Sequence, residues 1–121
     1  MGATLGQAVR DELQRRQLSL GPIVSHPRSR TWTFLVKADI PDSPALFGQL
    51  FRAHISVHRT GCRIGLPSPA DPPLALRYWV EPPRDPFRPS GAVVISVLSN
   101  CLPARTIDLR MLERDADRPV P

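Results

Sequence analysis

The spacing of apolar residues in the first part of the chain predicts a helix. Leu5, Val9 and Leu13 recur at every fourth position, so they form one apolar stripe on a helix running from Ala3 to Gln17. The rest of that helix surface is polar or charged, which leaves the stripe narrow. We therefore expect this helix to dock on a surface or on a partner, or to serve as a dimer seam, rather than to fill a core.

Two short segments after this helix predict a β-hairpin. Ile23–His26 is a short apolar run, and apolar and polar residues alternate from Thr31 to Lys37. β-Branched and aromatic residues dominate the second run, as is typical of strands. The polar segment between the two runs carries Arg28 and Arg30, which we place at the tip of the hairpin.

The remaining apolar segments predict two more helices and three more strands. Ser43 and Pro44 indicate a helix start, because serine caps a helix and proline fits its first position. The apolar residues that follow form a broad face that should pack on a sheet. Apolar residues after Ser90 recur at helical spacing, which predicts a second packed helix ending near Pro103. The broad face comprises Leu46, Phe47, Leu50 and Phe51, the strands are Ile55–His58, Cys62–Leu66 and Leu76–Val80, and a proline-rich loop covers Pro67–Pro73.

Together these elements predict an α+β fold, with a mostly antiparallel sheet of about five strands, two packed helices and the N-terminal helix. The chain of 121 residues has the usual size of one domain. We expect residues 1–19 to form the N-terminal helix, residues 20–102 a compact α+β domain, and residues 103–121 a flexible C-terminal tail. With neither a long apolar segment nor a signal peptide, we expect a cytoplasmic protein that does not contact the membrane.

The basic residues are almost all arginine. There are 15 arginines against the single lysine Lys37, and the formal net charge is +5. Genomic codon bias is one explanation, and the suitability of arginine for phosphate and carboxylate groups is the other. The positive charge fits a nucleic acid or an acidic protein as partner. Because the arginines are scattered along the chain, the protein partner is slightly favoured.

Candidate catalytic and metal-binding residues are few. His26, His54 and His58 lie in no recognisable nucleophile arrangement, and no G-x-S-x-G segment occurs. Cys62 and Cys101 are widely spaced among apolar residues, which favours structural thiols over a zinc site or, in an exported protein, a disulfide. No carboxylate pair lies on a predicted strand, and no glycine-rich phosphate loop occurs. We therefore expect no metal, no cofactor and no catalysis.

The candidate contact residues are basic or aromatic. Arginines at the hairpin tip and in the predicted turns and strands could contact phosphates or an acidic protein surface. Two neighbouring aromatic residues on a predicted strand face opposite sides, so one ring could be exposed for stacking or anchoring. The other interpretation, which we favour, is that both rings pack in the core or against a loop. The arginines are Arg28, Arg30, Arg59, Arg63 and Arg77, and the aromatic residues are Tyr78 and Trp79.

Three short segments of the chain carry a recognisable pattern of a turn, a loop and strands. Residues 61–71 read G-C-R-I-G-L-P-S-P-A-D, residues 77–80 read R-Y-W-V, and residues 27–36 read P-R-S-R-T-W-T-F-L-V. They resemble the glycine-rich turn and loop, the aromatic strand and the preceding hairpin of the prim-pol domain of bifunctional DNA primase/polymerases, in the archaeo-eukaryotic primase superfamily. The resemblance covers at most about half of the chain.

The same segments depart from the family at its catalytic positions. Ser56 stands near the place of the family's third catalytic aspartate, and Trp32 or Thr33 stands near the place of its active histidine. The upstream carboxylates, Asp11 and Glu12, are adjacent on a predicted helix, so they do not face the same way. The resemblance therefore implies a shortened relative without catalytic activity.

These observations favour a non-catalytic accessory or regulatory module that binds a protein partner, with homodimerisation through the N-terminal helix as an additional interaction. The alternative is a basic nucleic-acid-binding module derived from a degenerate primase-like domain, whose affinity would fall steeply with salt. A second alternative is a nucleotide-handling enzyme with an unrecognised site, which would show a concave pocket with converging polar groups.

Overall fold

The computed structural model describes residues 1–58, 66–67, 77–103 and 106–108, and its elements confirm an α+β fold. The predicted hairpin and all three predicted helices are present. In chain order the elements are α1 (Ala3–Arg15), β1 (Ile23–His26), β2 (Thr31–Phe34), α2 (Pro44–Arg52), β3 (Tyr78–Glu81) and α3 (Gly91–Asn100).

The three strands form one antiparallel sheet in the order β2-β1-β3. β1 lies in the middle, where Ser25 is opposite Trp32 of β2 and Val24 is opposite Trp79 of β3. Ile23 and Val24 are almost completely buried, as expected for the central strand of a small sheet. β2 and β3 are therefore the edge strands of the described sheet.

The described part of the chain has three strands rather than about five. Residues 55–58 form no strand, so the strand predicted there is wrong. Ile55 belongs to the core and Val57 packs against it. Alternate residues of this segment thus turn toward the core, and that burial produces a period of two without strand pairing.

Several predictions fall on residues that the structure does not describe. The predicted strand Cys62–Leu66 lies outside the described residues except for Leu66, which is exposed and not in a strand. Of the predicted loop Pro67–Pro73 only Pro67 is described. Most of the predicted tail is also outside, but Ile107 is described and is buried in the core.

The core is built mainly from apolar side chains of the three helices. α3 contributes the largest share, and its β-branched residues do not prevent a helix that Ser90 caps, with its Oγ accepting from the Val93 amide at 3.3 Å. Burying side chains of this size contributes about 1.5–3 kcal/mol each to the free energy of folding. The buried cluster comprises Val9, Leu13, Leu46, Leu50, Ile55, Val94, Ile95, Val97, Leu98 and Ile107.

α1 contributes to this core, although its narrow apolar stripe predicted a peripheral position. Val9 is fully buried and Leu13 is 2% exposed. The helix comes close to the hairpin because Gly6 places no side chain against the ring of Trp32. The expectation that the stripe would stay outside the core is therefore wrong, whereas a dimer seam on α1 stays a prediction.

α2 begins as predicted but presents a narrower apolar face. Ser43 Oγ accepts a hydrogen bond from the Leu46 amide at 3.2 Å, and Leu46 and Leu50 are fully buried. Phe51, which we expected on the same face, is 74% exposed. Successive helical residues are rotated by about 100°, so Phe51 turns away from the side that Leu50 buries. The prediction is therefore wrong for Phe51.

Candidate functional site

A cleft of about 750 Å³ opens beside β2. One wall is the continuous stretch of residues 31–38, which includes all of β2. A second wall is the segment 54–58 after α2, and the inner face of α3 lies at the base. The cleft is within the size range of sites that bind ligands in proteins.

The inner surface of the cleft is apolar. Phe34, Val36, Ile40, Phe47 and Val57 line it and are half-buried, each packed against the core on one side. Apolar groups of a ligand that covered the remaining surface would gain about 25 cal/mol per Å² removed from water. The cleft therefore favours a ligand with several apolar side chains.

The rim of the cleft is polar and mainly basic. Lys37, His54 and His58 line the cleft and are exposed, and Arg88 lines it while half-buried. Asp42 is the one acidic residue among the described residues that line the cleft. This distribution favours acidic groups on a bound molecule, next to its apolar part.

The end of α2 fixes the second wall. The Ile55 amide donates to the carbonyl of Leu50 at 2.9 Å, which closes the last turn of the helix. His54, just before it, has φ 61° and so lies in the left-handed region that commonly ends helices. With Ile55 anchored in the core, the following residues Val57 and His58 are held along the cleft.

The first residues of the chain pair with the beginning of the β2 edge. The Met1 amino group donates to the Trp32 carbonyl at 3.0 Å, and the Trp32 amide donates to the Met1 carbonyl at 2.8 Å. Gly2 forms an antiparallel bridge with Thr31. This half of the edge is therefore already covered, and the other half, from Phe34 onward, borders the cleft.

Three of the predicted contact arginines lie around the tip of the hairpin. Arg28 and Arg30 are exposed in the turn, as predicted. Arg77 directly precedes Tyr78, which pairs with Ser25, so the sheet register brings it beside His26. Of the other two predicted contacts, Arg59 and Arg63, the structure describes neither.

His26 lies close to the positive charges at this end of the sheet. Burial lowers the pKa of His26, and the charges of Arg77 and of the Met1 amino group lower it further. The ring is held by a 3.0 Å hydrogen bond between Nε2 and Thr33 Oγ1. The hairpin tip therefore combines fixed cations with a histidine that resists protonation.

The aromatic pair does not provide an open stacking surface. Tyr78 and Trp79 are both half-buried, which fits two packing residues rather than one exposed ring. Trp79 Nε1 donates to the carbonyl of Pro67 at 3.1 Å, which ties its ring to the protein. A strand that is partly covered on both faces explains why alternation did not produce one exposed residue.

Metal-binding clusters are not apparent in the described ranges. No group of three or more His, Cys, Asp or Glu side chains there could hold a metal ion. Burial raises the pKa of the Cys101 thiol, and Glu12 raises it further, so this cysteine is less reactive than a free thiol. None of the described helices is both long enough and apolar enough to span a membrane.

Comparison with known protein families, with curated proteins and with solved structures finds no match for this chain. The resemblance to the prim-pol domain therefore stays a prediction that depends on the sequence segments alone. Sequence reasoning missed the cleft, because Phe34 and Phe47 have the spacing of core residues. The polar residues that flank the apolar positions of the 54–58 segment are the signal that could have indicated a rim.

Proposed function

We propose that the protein is a non-catalytic accessory module that binds a partner protein in the cleft beside β2. The observation that carries this proposal is the combination of an apolar inner surface with a basic rim in one cleft of about 750 Å³. Protein-binding sites commonly have such an apolar centre surrounded by polar groups.

The arrangement of the polar groups favours a protein over a small substrate. Sites for small substrates place a few polar groups so that they converge on one point. Here the polar side chains Lys37, Ser56 and His58 are exposed along the margin, while the interior is lined by half-buried apolar groups. A chain segment with apolar residues and acidic flanks satisfies both regions at once.

A library of random peptides displayed on phage tests this proposal without knowledge of the partner. Peptides selected on the purified protein are measured by fluorescence anisotropy against two matched variants, Val57→Asp and Val93→Asp. Val57 lines the cleft, whereas Val93 is 43% exposed on α3 and does not line it. A carboxylate placed in the apolar cleft would lose its hydration, so we expect Val57→Asp to weaken binding at least about tenfold.

The Val93→Asp variant should bind the same peptides as the unchanged protein. Thermal unfolding of both variants shows whether each is folded at the temperature of the assay, and Val57→Ser replaces Val57→Asp if the latter is not. Selection that yields no binding peptides, or peptides that bind all variants equally, would contradict the proposal.

The hairpin tip supports a second candidate function, binding of nucleic acid. Arg28 and Arg30 are exposed there, and Arg77 is close enough to lower the pKa of His26, after the larger effect of burial. Arginine contacts to phosphates give an affinity that falls steeply with salt. Anisotropy of labelled single-stranded and duplex DNA across a salt series, with Arg28→Ala/Arg30→Ala as the variant, tests this function. Binding that is weak at low salt or unaffected by the double substitution would exclude it.

A further inference from the structure

Among the residues that the structure describes, none pairs with the outer side of β2 beyond Trp32, and this part of the strand borders the cleft. β2 is an edge strand of the described sheet, and β1 covers only its other side. The stretch from Thr31 to Ala38 lines the cleft without interruption. A wall made of consecutive residues presents backbone groups as well as side chains to whatever occupies the cleft.

The direction of the backbone groups along this edge follows from the bonds at its two ends. Trp32 exchanges hydrogen bonds with Met1 on the outer side, and the Leu35 amide donates to the Pro22 carbonyl on the β1 side at 3.1 Å. Backbone groups of a strand point alternately to its two sides. The N–H and C=O groups of Phe34 and Val36 therefore point outward, in the same direction as those of Trp32.

The Met1 segment shows which kind of chain this edge accepts. Ala3 donates to the Arg30 carbonyl at 2.9 Å, and Met1 makes two bonds with Trp32, so the segment pairs antiparallel with the start of β2. Continuing that register places the next two hydrogen-bonded positions at Phe34 and Val36. The Lys37 amide then donates to the Pro89 carbonyl, just before α3, at 2.8 Å.

We propose that the partner occupies the cleft as an extended segment that adds a strand to β2 and hydrogen-bonds to the backbone of Phe34 and Val36. This inference rests on the proposed function, since it names the form in which the partner protein binds. An added strand obtains affinity from main-chain bonds and specificity from the side chains that alternate into the cleft.

The cleft also determines the side chains of that segment. Residues of a strand point alternately to opposite faces, so every second residue faces the surface formed by Phe34, Phe47 and Val57. Those positions take apolar side chains. Lys37 and His58 at the rim favour acidic residues next to the apolar positions.

Backbone N-methylation of a selected peptide tests the pairing directly. The probe is a cleft-binding peptide from the phage selection, synthesised with one methylated amide at a time and measured by anisotropy. In an added strand, every second peptide amide donates to β2. We therefore expect methylation to weaken binding about tenfold at alternate residues and less than about twofold at the residues between them.

Two results would overturn the added strand while leaving the proposed function intact. One is a peptide whose methylation profile shows no alternation although Val57→Asp still weakens its binding. The other is slow amide exchange at both Phe34 and Val36 in the free protein, which would mean that the chain itself already covers this edge. Peptide binding that Val57→Asp does not weaken contradicts the proposed function instead, so the two failures are distinguishable.

Discussion

Gly6 determines how closely α1 approaches the hairpin. A Cβ at this position would lie 2.9 Å from Cε3 of Trp32 and 3.1 Å from its Cβ, and Trp32 is buried. The Gly6→Ala substitution gains helix propensity, but the contact requires a shift of the helix or of the ring. We expect a net loss of about 1–3 kcal/mol in the free energy of unfolding, measured with urea.

Gly48 provides the matched control for Gly6, because it also lies inside a helix. A Cβ at Gly48 has nothing within 4 Å. Gly48→Ala should therefore stabilise the protein by about 0.5–1 kcal/mol, through reduced freedom of the unfolded chain. A Gly6→Ala protein that is stabilised as much as Gly48→Ala would contradict the close approach of α1 to Trp32.

His26 should make stability depend on pH. Burial, and then the charges of Arg77 and the Met1 amino group, lower the pKa of His26 in the folded protein. The unfolded chain then binds the proton more readily, so the His26 contribution is complete above about pH 6.5 and is lost as the pH falls below it. Urea unfolding of the unchanged protein and of His26→Gln, each at about pH 8 and about pH 5, measures this contribution to the free energy of unfolding. We expect the variant to lose less stability on acidification than the unchanged protein, and an equal loss would be inconsistent with this role.

At the scale of elements, the start of α3 depends on a residue distant in sequence. Asp39 Oδ1 accepts from the Ala92 amide at 3.1 Å, and the Ser90 hydroxyl donates to the other carboxylate oxygen. Partial burial alone would raise the pKa of Asp39, but these bonds and one from the Gly91 amide outweigh it and lower the pKa. The carboxylate thus supplements the Ser90 cap and ties the chain after β2 to α3.

Removal of this carboxylate should weaken the helix start. We expect Asp39→Ala to lower the free energy of unfolding by about 1 kcal/mol, as for loss of a helix cap. Asp39→Asn keeps one oxygen acceptor for the Ala92 amide, so we expect a smaller loss in the free energy of unfolding. Thermal unfolding of the two variants at neutral pH measures the difference, and an Asp39→Ala protein as stable as the unchanged one would show that the Ser90 cap is sufficient.

Elements with a local signal could be predicted from the sequence. Ser43 caps α2 in the structure as in the prediction, α3 begins directly after Ser90, and the alternation beginning at Thr31 does form β2. The strand predicted at Ile55–His58 failed because burial with a period of two does not require strand pairing. Periodicity identifies which side chains are buried, whereas the neighbour that buries them is a property of the folded chain.

At the scale of the whole molecule, the cleft could not be predicted because it depends on how three elements are placed. Phe34 belongs to β2, Phe47 to α2 and Val57 to the segment after α2, and each has the spacing of an ordinary core residue. Only their positions in the fold leave one side of each exposed to the same cleft. The tip arginines Arg28 and Arg30 do not line the cleft.

The two candidate surfaces therefore have different chemistry. The cleft combines apolar surface with a basic rim, and the tip around Arg28 and Arg30 carries positive charge in an exposed turn. Peptide binding in the cleft depends mainly on apolar burial and backbone bonds, so we expect it to persist at moderate salt, whereas binding to phosphates at the tip would not.

Amide hydrogen exchange, resolved by residue and measured with and without a saturating cleft-binding peptide, tests the central claim most directly. We expect exchange at Phe34 and Val36 to slow at least about tenfold when the peptide binds. Leu35, whose amide already donates to the Pro22 carbonyl, should change little. Protection confined to the hairpin tip at residues 28–30, or no change at Phe34 and Val36, would contradict binding along the edge of β2.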